Sequence, residues 1–282
     1  MVTFRRSGGS LRSTLVPWWW RDALWGGDER LLRRRAAVLK RAIQVWRQRP
    51  RGAPLAETVP GVTIATVSRN SLEPLQVLVE MVRRHAPREV RISVADNGST
   101  DGTASWLAAE PMVDDFVLFA DNIGHGPAMD ALWLRSNTTH TVALDVDAFP
   151  ISDDWLSAVI EPLEDHADVA GAALFRSYVH PCYLAMRTDR WRARRHTFCG
   201  SFSWDTGELM SLREPRRHLI APTWTRGPGV VGSLFGDVVY HNFYATRFGA
   251  AESLDGIAKD DATAAWAEAV ARWVHPPDGQ PS

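Results

Sequence analysis

The residues with the most chemistry to offer are two acids one residue apart, in the run Leu144-Asp145-Val146-Asp147. They follow an apolar, strand-like segment that delivers both into whatever lies beyond its end. Carboxylates this close repel one another, and burial raises that cost further. A hard divalent cation removes the conflict, and Mg2+ or Mn2+ held in this way keeps coordination positions open for phosphate oxygens. The plain alternative is a strand followed by an acidic turn, helped by Pro150 and by Ser152 or Asp153 as a helix cap. A second polar run, Asp96-Asn97-Gly98-Ser99-Thr100-Asp101-Gly102-Thr103, leaves another apolar segment. The carboxylate of Asp96 only accepts hydrogen bonds, which suits the N–H groups of a nucleobase. An Asx turn and a helix cap explain Gly98, Asp101 and Gly102 in part, but not Asp96 as well.

The pattern that must position these groups becomes regular from Gly61. Residues 62–67 are β-rich and end in Ser68-Arg69-Asn70, and an amphipathic helix is expected over 72–85. A strand at 90–95 precedes a helix capped by Asp101 and running through Leu107. A strand at 116–119, a helix at 127–134 and a strand at 141–144 complete the series. Strands alternating with helices predict a largely parallel sheet covered on both faces. Ligands of such sheets bind beyond the carboxyl ends of the strands. The clusters at 68–70, 96–101 and 145–147 all fall there.

Strand then Ser68-Arg69-Asn70, the Asp96–Thr103 run, Asn122-Ile123-Gly124 before a helix, and Leu144-Asp145-Val146-Asp147 occur in this order. The combination resembles the family 2 glycosyltransferases of the GT-A fold, over about Gly61 to Leu156. The resemblance implies a nucleotide-sugar donor (a UDP-, GDP- or dTDP-sugar), a divalent metal and inversion at the anomeric carbon. It implies that Ser68, Arg69, Asn70 and Asp96 hold the nucleoside, with Asn97, Asn122 and Gly124 in the same donor site. Asp145 would approach ribose or metal, and Asp147 would be the firmest metal ligand. One departure is Met129-Asp130, where the family often has Asn or Arg-Asn on the helix after Asn-x-Gly.

Later segments extend the likeness. The run from His180 to Arg187 resembles the strand lining the acceptor side, although a core strand with a buried, hydrogen-bonded His180 reads equally well. Trp204-Asp205-Thr206-Gly207-Glu208 falls where the family places a catalytic carboxylate at a helix start. Asp205 is the expected base and Glu208 the second candidate, because an inverting displacement must strip a proton from the acceptor. Asp205 as a helix cap with Glu208 as its capping-box partner is the bland alternative. Val239-Tyr240-His241 resembles a late His motif that would complete the metal site as a neutral imidazole, favouring Mn2+ over Mg2+. Arg247 would offset charge on the departing diphosphate. A nucleotidyltransferase of the same fold, or a binding protein that has kept it, are the competing classes. The former would carry a Gly-rich, basic loop after the first strand, unlike Ser68-Arg69-Asn70-Ser71, and the latter would have lost the acidic pair.

With 282 residues, 45% of them hydrophobic, the chain can bury a sizeable core, and its net charge of −1 gives no reason to expect nucleic acid as a partner. Neutrality hides an asymmetry: residues 1–60 hold 13 Lys/Arg and 4 Asp/Glu, leaving 19 and 29 for the remainder. Leu32, Ala36, Leu39, Ile43 and Trp46 line one face of a helix with arginines on the others. That face would pack onto the main domain or a second copy, giving a homodimer, or rest peripherally on an anionic membrane. Residues 49–60 read as a linker, so 1–60 form an extension and 61–282 the catalytic domain. Within it, 61–156 is the donor half, 157–255 the acceptor half and 256–282 a C-terminal helix and tail. No stretch reaches the ~20 apolar residues of a spanning helix, and only Cys182 and Cys199 occur. The expected location is the cytoplasm, with reduced thiols. The acceptor is expected to be a small molecule in secondary-metabolite or glycoconjugate biosynthesis. Of the thirteen tryptophans, Trp204 and Trp224 flank the presumed acceptor region and could stack on it.

Overall fold

The computed structural model describes residues 57–174, 178–200, 206–225, 231–244, 246, 253–254 and 257–276. The expected N-terminal helix over 32–46, Trp204, Asp205 and Arg247 lie outside these residues.

The first half alternates as its periodicity predicts. β1 (Val59–Ser68), α1 (Leu72–His85), β2 (Arg91–Asn97), α2 (Thr103–Ala109), β3 (Asp115–Phe119), α3 (His125–Arg135) and β4 (Thr138–Leu144) follow in order. After the acidic pair come β5 (Ala148–Pro150), a single 3-10 turn (Asp153–Trp155) and α4 (Ser157–Asp165). Then β6 (Val169–Leu174), β7 (Tyr178–Arg187), α5 (Thr188–Ala193), α6 (Glu208–Arg213) and β8 (Arg217–Ile220) complete a seven-stranded sheet of order β3-β2-β1-β4-β7-β6-β8. β1 runs parallel to β2 and β4, whereas β7 is antiparallel to β4. β9 (Pro222–Thr225), β10 (Ser233–Phe235) and β11 (Val239–His241) join β5 in a second, four-stranded sheet. A short hairpin, β12 (Ser253–Leu254) and β13 (Ile257–Ala258), leads into α7 (Lys259–Ala269) and a π-turn at Val270–Val274.

Alternation along the strands splits the core into two layers. Ile64, Val94 and Val142 point to one face, where Leu75, Leu78, Val79 and Val82 of α1 meet them. That i, i+3, i+4, i+7 spacing is one stripe of a helix, and each side chain removed from water contributes about 1.5–3 kcal/mol. Ala65, Val67, Ala95 and Ala143 point to the other face, against Met129, Leu132 and Trp133 of α3. Small residues on this face let the bulky ones come from the helix. Val77 and Met81, on a different side of α1, pack with Phe149, Tyr240 and Trp266. Trp266 Nε1 donates to Glu73 (2.9 Å), and Arg84 donates to the Val274 carbonyl (2.9 Å), pinning the C-terminal helix to α1.

Strand ends differ from the periodicity by a few residues. β1 begins at Val59, inside the expected linker, because Val59 N–H finds the Asn137 carbonyl at 2.8 Å. Its register with β4 breaks between Val59 and Val62, around Pro60, where the ladder has no donor to lose. α2 starts behind Gly102 rather than at Asp101, yet Asp101 Oδ1 still accepts from the Thr103 N–H (3.2 Å).

Candidate metal and donor site

β4 ends at Leu144, and the next peptide is held by β7: Asp145 N–H donates to the Cys182 carbonyl at 3.2 Å. β7 runs antiparallel to β4, with Leu144 opposite Tyr183. Its residues His180–Cys182, before Tyr183, therefore line the same edge as the acids. β11 arrives from the other side. The β5–β11 register sets His241 opposite Ala148, and Asn242 N–H donates to the Asp147 carbonyl at 3.0 Å. Residues 94 apart in sequence thus become neighbours.

The convergence is tight. His241 Nε2 lies 3.2 Å from Asp147 Oδ1 and 3.5 Å from Asp145 Oδ2. Candidate ligand atoms of Asp145, Asp147 and His241 all fall within 4.8 Å of one another, the one such group among the described residues. Asp147 is 4% exposed and His241 2%, so two of the three are nearly out of water. The His241 ring packs at a tilt against Phe243, 3.9 Å between centroids, and the His180 ring stands 6.1 Å away. His180 Nδ1 accepts from the Cys182 N–H (3.1 Å), which leaves its proton on Nε2. Burial pushes the Cys182 thiol well above its usual range, and the charges of Asp145 and Asp147 push it further. Two carboxylates and an imidazole fit a divalent cation that accepts mixed N/O ligands. Asp145, 18% exposed at the rim, leaves a side open to phosphate oxygens.

The donor-side residues cluster at the ends of β1 and β2. Ser68 pairs in register with Asp96, and both are buried. Ser68 Oγ is shut off from water with no hydrogen-bond partner, an unmet need that a polar ligand would fill. Asp96 Oδ1 accepts from the Ser99 N–H (3.1 Å), so the Asx turn uses Asp96 after all, at least through one oxygen. Asn70, at φ 49°, accepts from the Thr100 N–H (2.7 Å) and ties the first turn to the second; Arg69 beside it is exposed. Asn97 spends its amide internally, donating to Asn122 Oδ1 (3.0 Å) and accepting from the Ile123 N–H (2.8 Å). Gly124 N–H donates to the same Asn122 oxygen at 2.9 Å, and its φ of 97° turns the chain into α3. Asn97, Asn122 and Gly124 therefore shape the donor edge through one another.

On the acceptor side, α6 begins at Glu208 behind Gly207, which is at φ 70° and carries no side-chain cap. Glu208 is at the first helical position rather than the third, where a capping-box partner would stand. Gly207 lies against Phe198 and Pro181, on the β7 side of the site. The departure at Asp130 has a structural meaning. Buried in α3, Asp130 accepts from the Phe198 N–H (2.8 Å) and from the Thr197 hydroxyl, tying α3 to the segment after α5. Sequence reasoning overlooked His125, the first residue of α3, whose Nε2 lies 3.5 Å from Asp145 Oδ1. A histidine directly after Asn-x-Gly, opening a helix at the donor edge, was the available signal.

The mostly parallel α/β sheet, with an acidic pair beyond its strand ends and a small antiparallel sheet beside it, has the GT-A fold. A profile described as "Glycosyl transferase family 2" matches residues 63–211, more than half of the chain, and the chain belongs to that family. Among solved structures, it is similar to a mannosyltransferase from Pyrobaculum calidifontis in complex with GDP-Man and Mn2+, at 18% identity and a TM-score of 0.49, covering 71% of this chain and 64% of that one. It is also similar to S. aureus TarS (residues 1–349) in complex with UDP-GlcNAc, at 15% identity and a TM-score of 0.48, covering 60% of each chain. This chain thus spans less than two thirds of the length of either. No curated protein sequence matches it.

Proposed function

We propose that this protein is a metal-dependent inverting glycosyltransferase that moves a sugar from a nucleoside-diphosphate donor to a small-molecule acceptor. The observation that carries the reading is the meeting of Asp145, Asp147 and His241 at the carboxyl end of β4, in a chain of glycosyl transferase family 2. Asp147 and His241 would hold Mn2+ or Mg2+ from the buried side and Asp145 from the rim. When bound, the cation offsets charge developing on the departing diphosphate.

The remaining roles belong to the chain itself. Ser68 Oγ and Asp96, side by side on β1 and β2, would bind the nucleoside, with Arg69 and Asn70 at its margin. The Asn97–Asn122–Gly124 latch would keep the start of α3 fixed against the donor. Asp205 would take the acceptor's proton as it attacks the anomeric carbon from the face opposite the leaving group, with Glu208 as the second candidate. Arg247 would balance the leaving diphosphate. Trp224, 38% exposed on β9, offers an aromatic face to a ring-shaped acceptor. The basic, Trp-containing extension over 1–60 would pack onto the catalytic domain or a second copy, or rest peripherally on a membrane. Among the described residues no helix is long and apolar enough to cross a membrane.

A thermal-shift series with UDP, GDP, dTDP and their sugars, each with and without Mn2+, tests the reading. A ligand that binds only the folded state adds about 2.7 kcal/mol of stability at a hundredfold excess over Kd, and so raises the melting temperature. A metal-dependent shift with one nucleotide names the base. Absence of any shift, with or without candidate acceptors, would remove the donor site.

A further inference from the structure

We infer that His125 is a positioning residue for the metal centre, orienting Asp145 so that one chosen carboxylate oxygen faces the cation. The inference rests on the metal reading above and assigns it a residue outside the three ligands. The carboxylate of Asp145 lies between two imidazoles: Oδ2 stands 3.5 Å from His241 Nε2, and Oδ1 stands 3.5 Å from His125 Nε2. The oxygen turned to His241 is the one that shares its edge with Asp147, whose Oδ1 lies 3.2 Å from the same Nε2. The other oxygen is the one beside His125, at the start of α3. His125 Nε2 is sealed from water and has no hydrogen-bond partner, although the ring as a whole is part-exposed. A small turn of either side chain brings its N–H into a hydrogen bond with Asp145 Oδ1, which satisfies the buried donor and fixes the carboxylate plane. Hydrogen bonds of this kind to a ligating carboxylate set its direction and raise metal affinity.

The placement of His125 is built by its neighbours. Asn97, buried at the end of β2, holds Asn122 and Ile123 through both ends of its amide. A Cβ on Gly98 would come within 2.8 Å of the Asp121 backbone, so this latch closes with no space to spare. On the other side of His125, a Cβ on Gly126 would meet the Phe198 carbonyl at 2.6 Å. The helix start is pinned from both directions, and His125, set between Gly124 and Gly126, is the side chain there that reaches Asp145.

The test is Mn2+ binding to the nucleotide-free full chain, followed by the loss of the free-ion EPR signal, for wild type, His125→Ala, His125→Phe, His125→Gln and Asp147→Ala. His125→Phe keeps a ring and removes the donor, so it carries the comparison if the alanine variant folds poorly; melting temperatures without metal check folding. We expect alanine and phenylalanine to weaken Mn2+ binding about ten- to hundredfold, and glutamine, which can donate from its amide, to recover most of that loss. Binding by the donor-free variants within about threefold of wild type would overturn the inference, as would a glutamine variant no better than alanine. If Asp147→Ala also binds Mn2+ normally, the metal centre itself falls, and the role of His125 with it.

Discussion

Asp147 is the residue on which the proposed chemistry rests most heavily. It is buried at 3.2 Å from His241 and tied through its carbonyl to Asn242. Asp147→Ala should abolish turnover, and a steady-state assay giving near-normal rates would sink the metal assignment. Asp205→Asn should reduce kcat while donor still binds, whereas an unchanged rate would remove Asp205 as base. Ser68 offers a subtler check. Its hydroxyl is buried without a partner, and burying a polar group unmet is a cost that alanine removes. Ser68→Ala should therefore leave the ligand-free protein as stable or about 1 kcal/mol more stable, while shrinking the nucleotide-induced melting shift. At this scale the sequence was informative about residue type, and Asp145, Asp147 and His241 do meet. It was silent about orientation. Nothing in Asn122-Ile123-Gly124-His125 says that His125 faces Asp145, or that Asp130 turns from the donor side to hold Phe198.

Elements carry the precision of the site. α3 is sealed on the sheet by Trp133, fully buried with ring centroids 5.5 Å from Trp191 and 5.1 Å from Phe198. Trp133→Ala should cost about 3–5 kcal/mol, read by urea unfolding, and should loosen the start of α3 along with it. β6 and β7 approach so closely at Gly171 that a Cβ there would sit 1.9 Å from the Tyr183 carbonyl, on a backbone at φ 143°. Gly171→Ala should destabilise by at least about 3 kcal/mol, the upper range of overpacking; a melting temperature near wild type would mean that the strands can part. α1 and the alternating strands were legible because their 3.6- and 2-residue periods are local properties. Strand limits were less so, since Val59 pairs only because Asn137 lies beside it.

Across the whole molecule, an ion network closes the far side of the sheet. Asp168, 2% exposed, accepts from Arg216 at 2.6 Å and lies 3.1 Å from Arg190, which also reaches the buried Glu214. The Arg216 hydrogen bonds hold the Asp168 carboxyl below its usual range, against the opposing effect of burial. Because the folded value is depressed, the stabilisation is fully present above the unfolded carboxyl value near ~3.9 and is lost as pH falls through the folded one. Melting temperature should drop steeply below about pH 4, and Asp168→Asn should flatten that acid limb. An acid limb unchanged by the substitution would remove Asp168 as its source.

The sequence by itself determined the alternating α/β scaffold, the two structural layers and the family, because hydrophobic period and the order of polar strand ends are written along the chain. Tertiary structure decided how those ends meet. Opposing Ala148 and His241 required β11 to cross to β5, placing His180 beside the acids required β7 to return antiparallel, and the His125–Asp145 contact required two glycine-tight backbone approaches. Each depends on register between residues distant in sequence. Register is a property of packed surfaces, which no local pattern encodes.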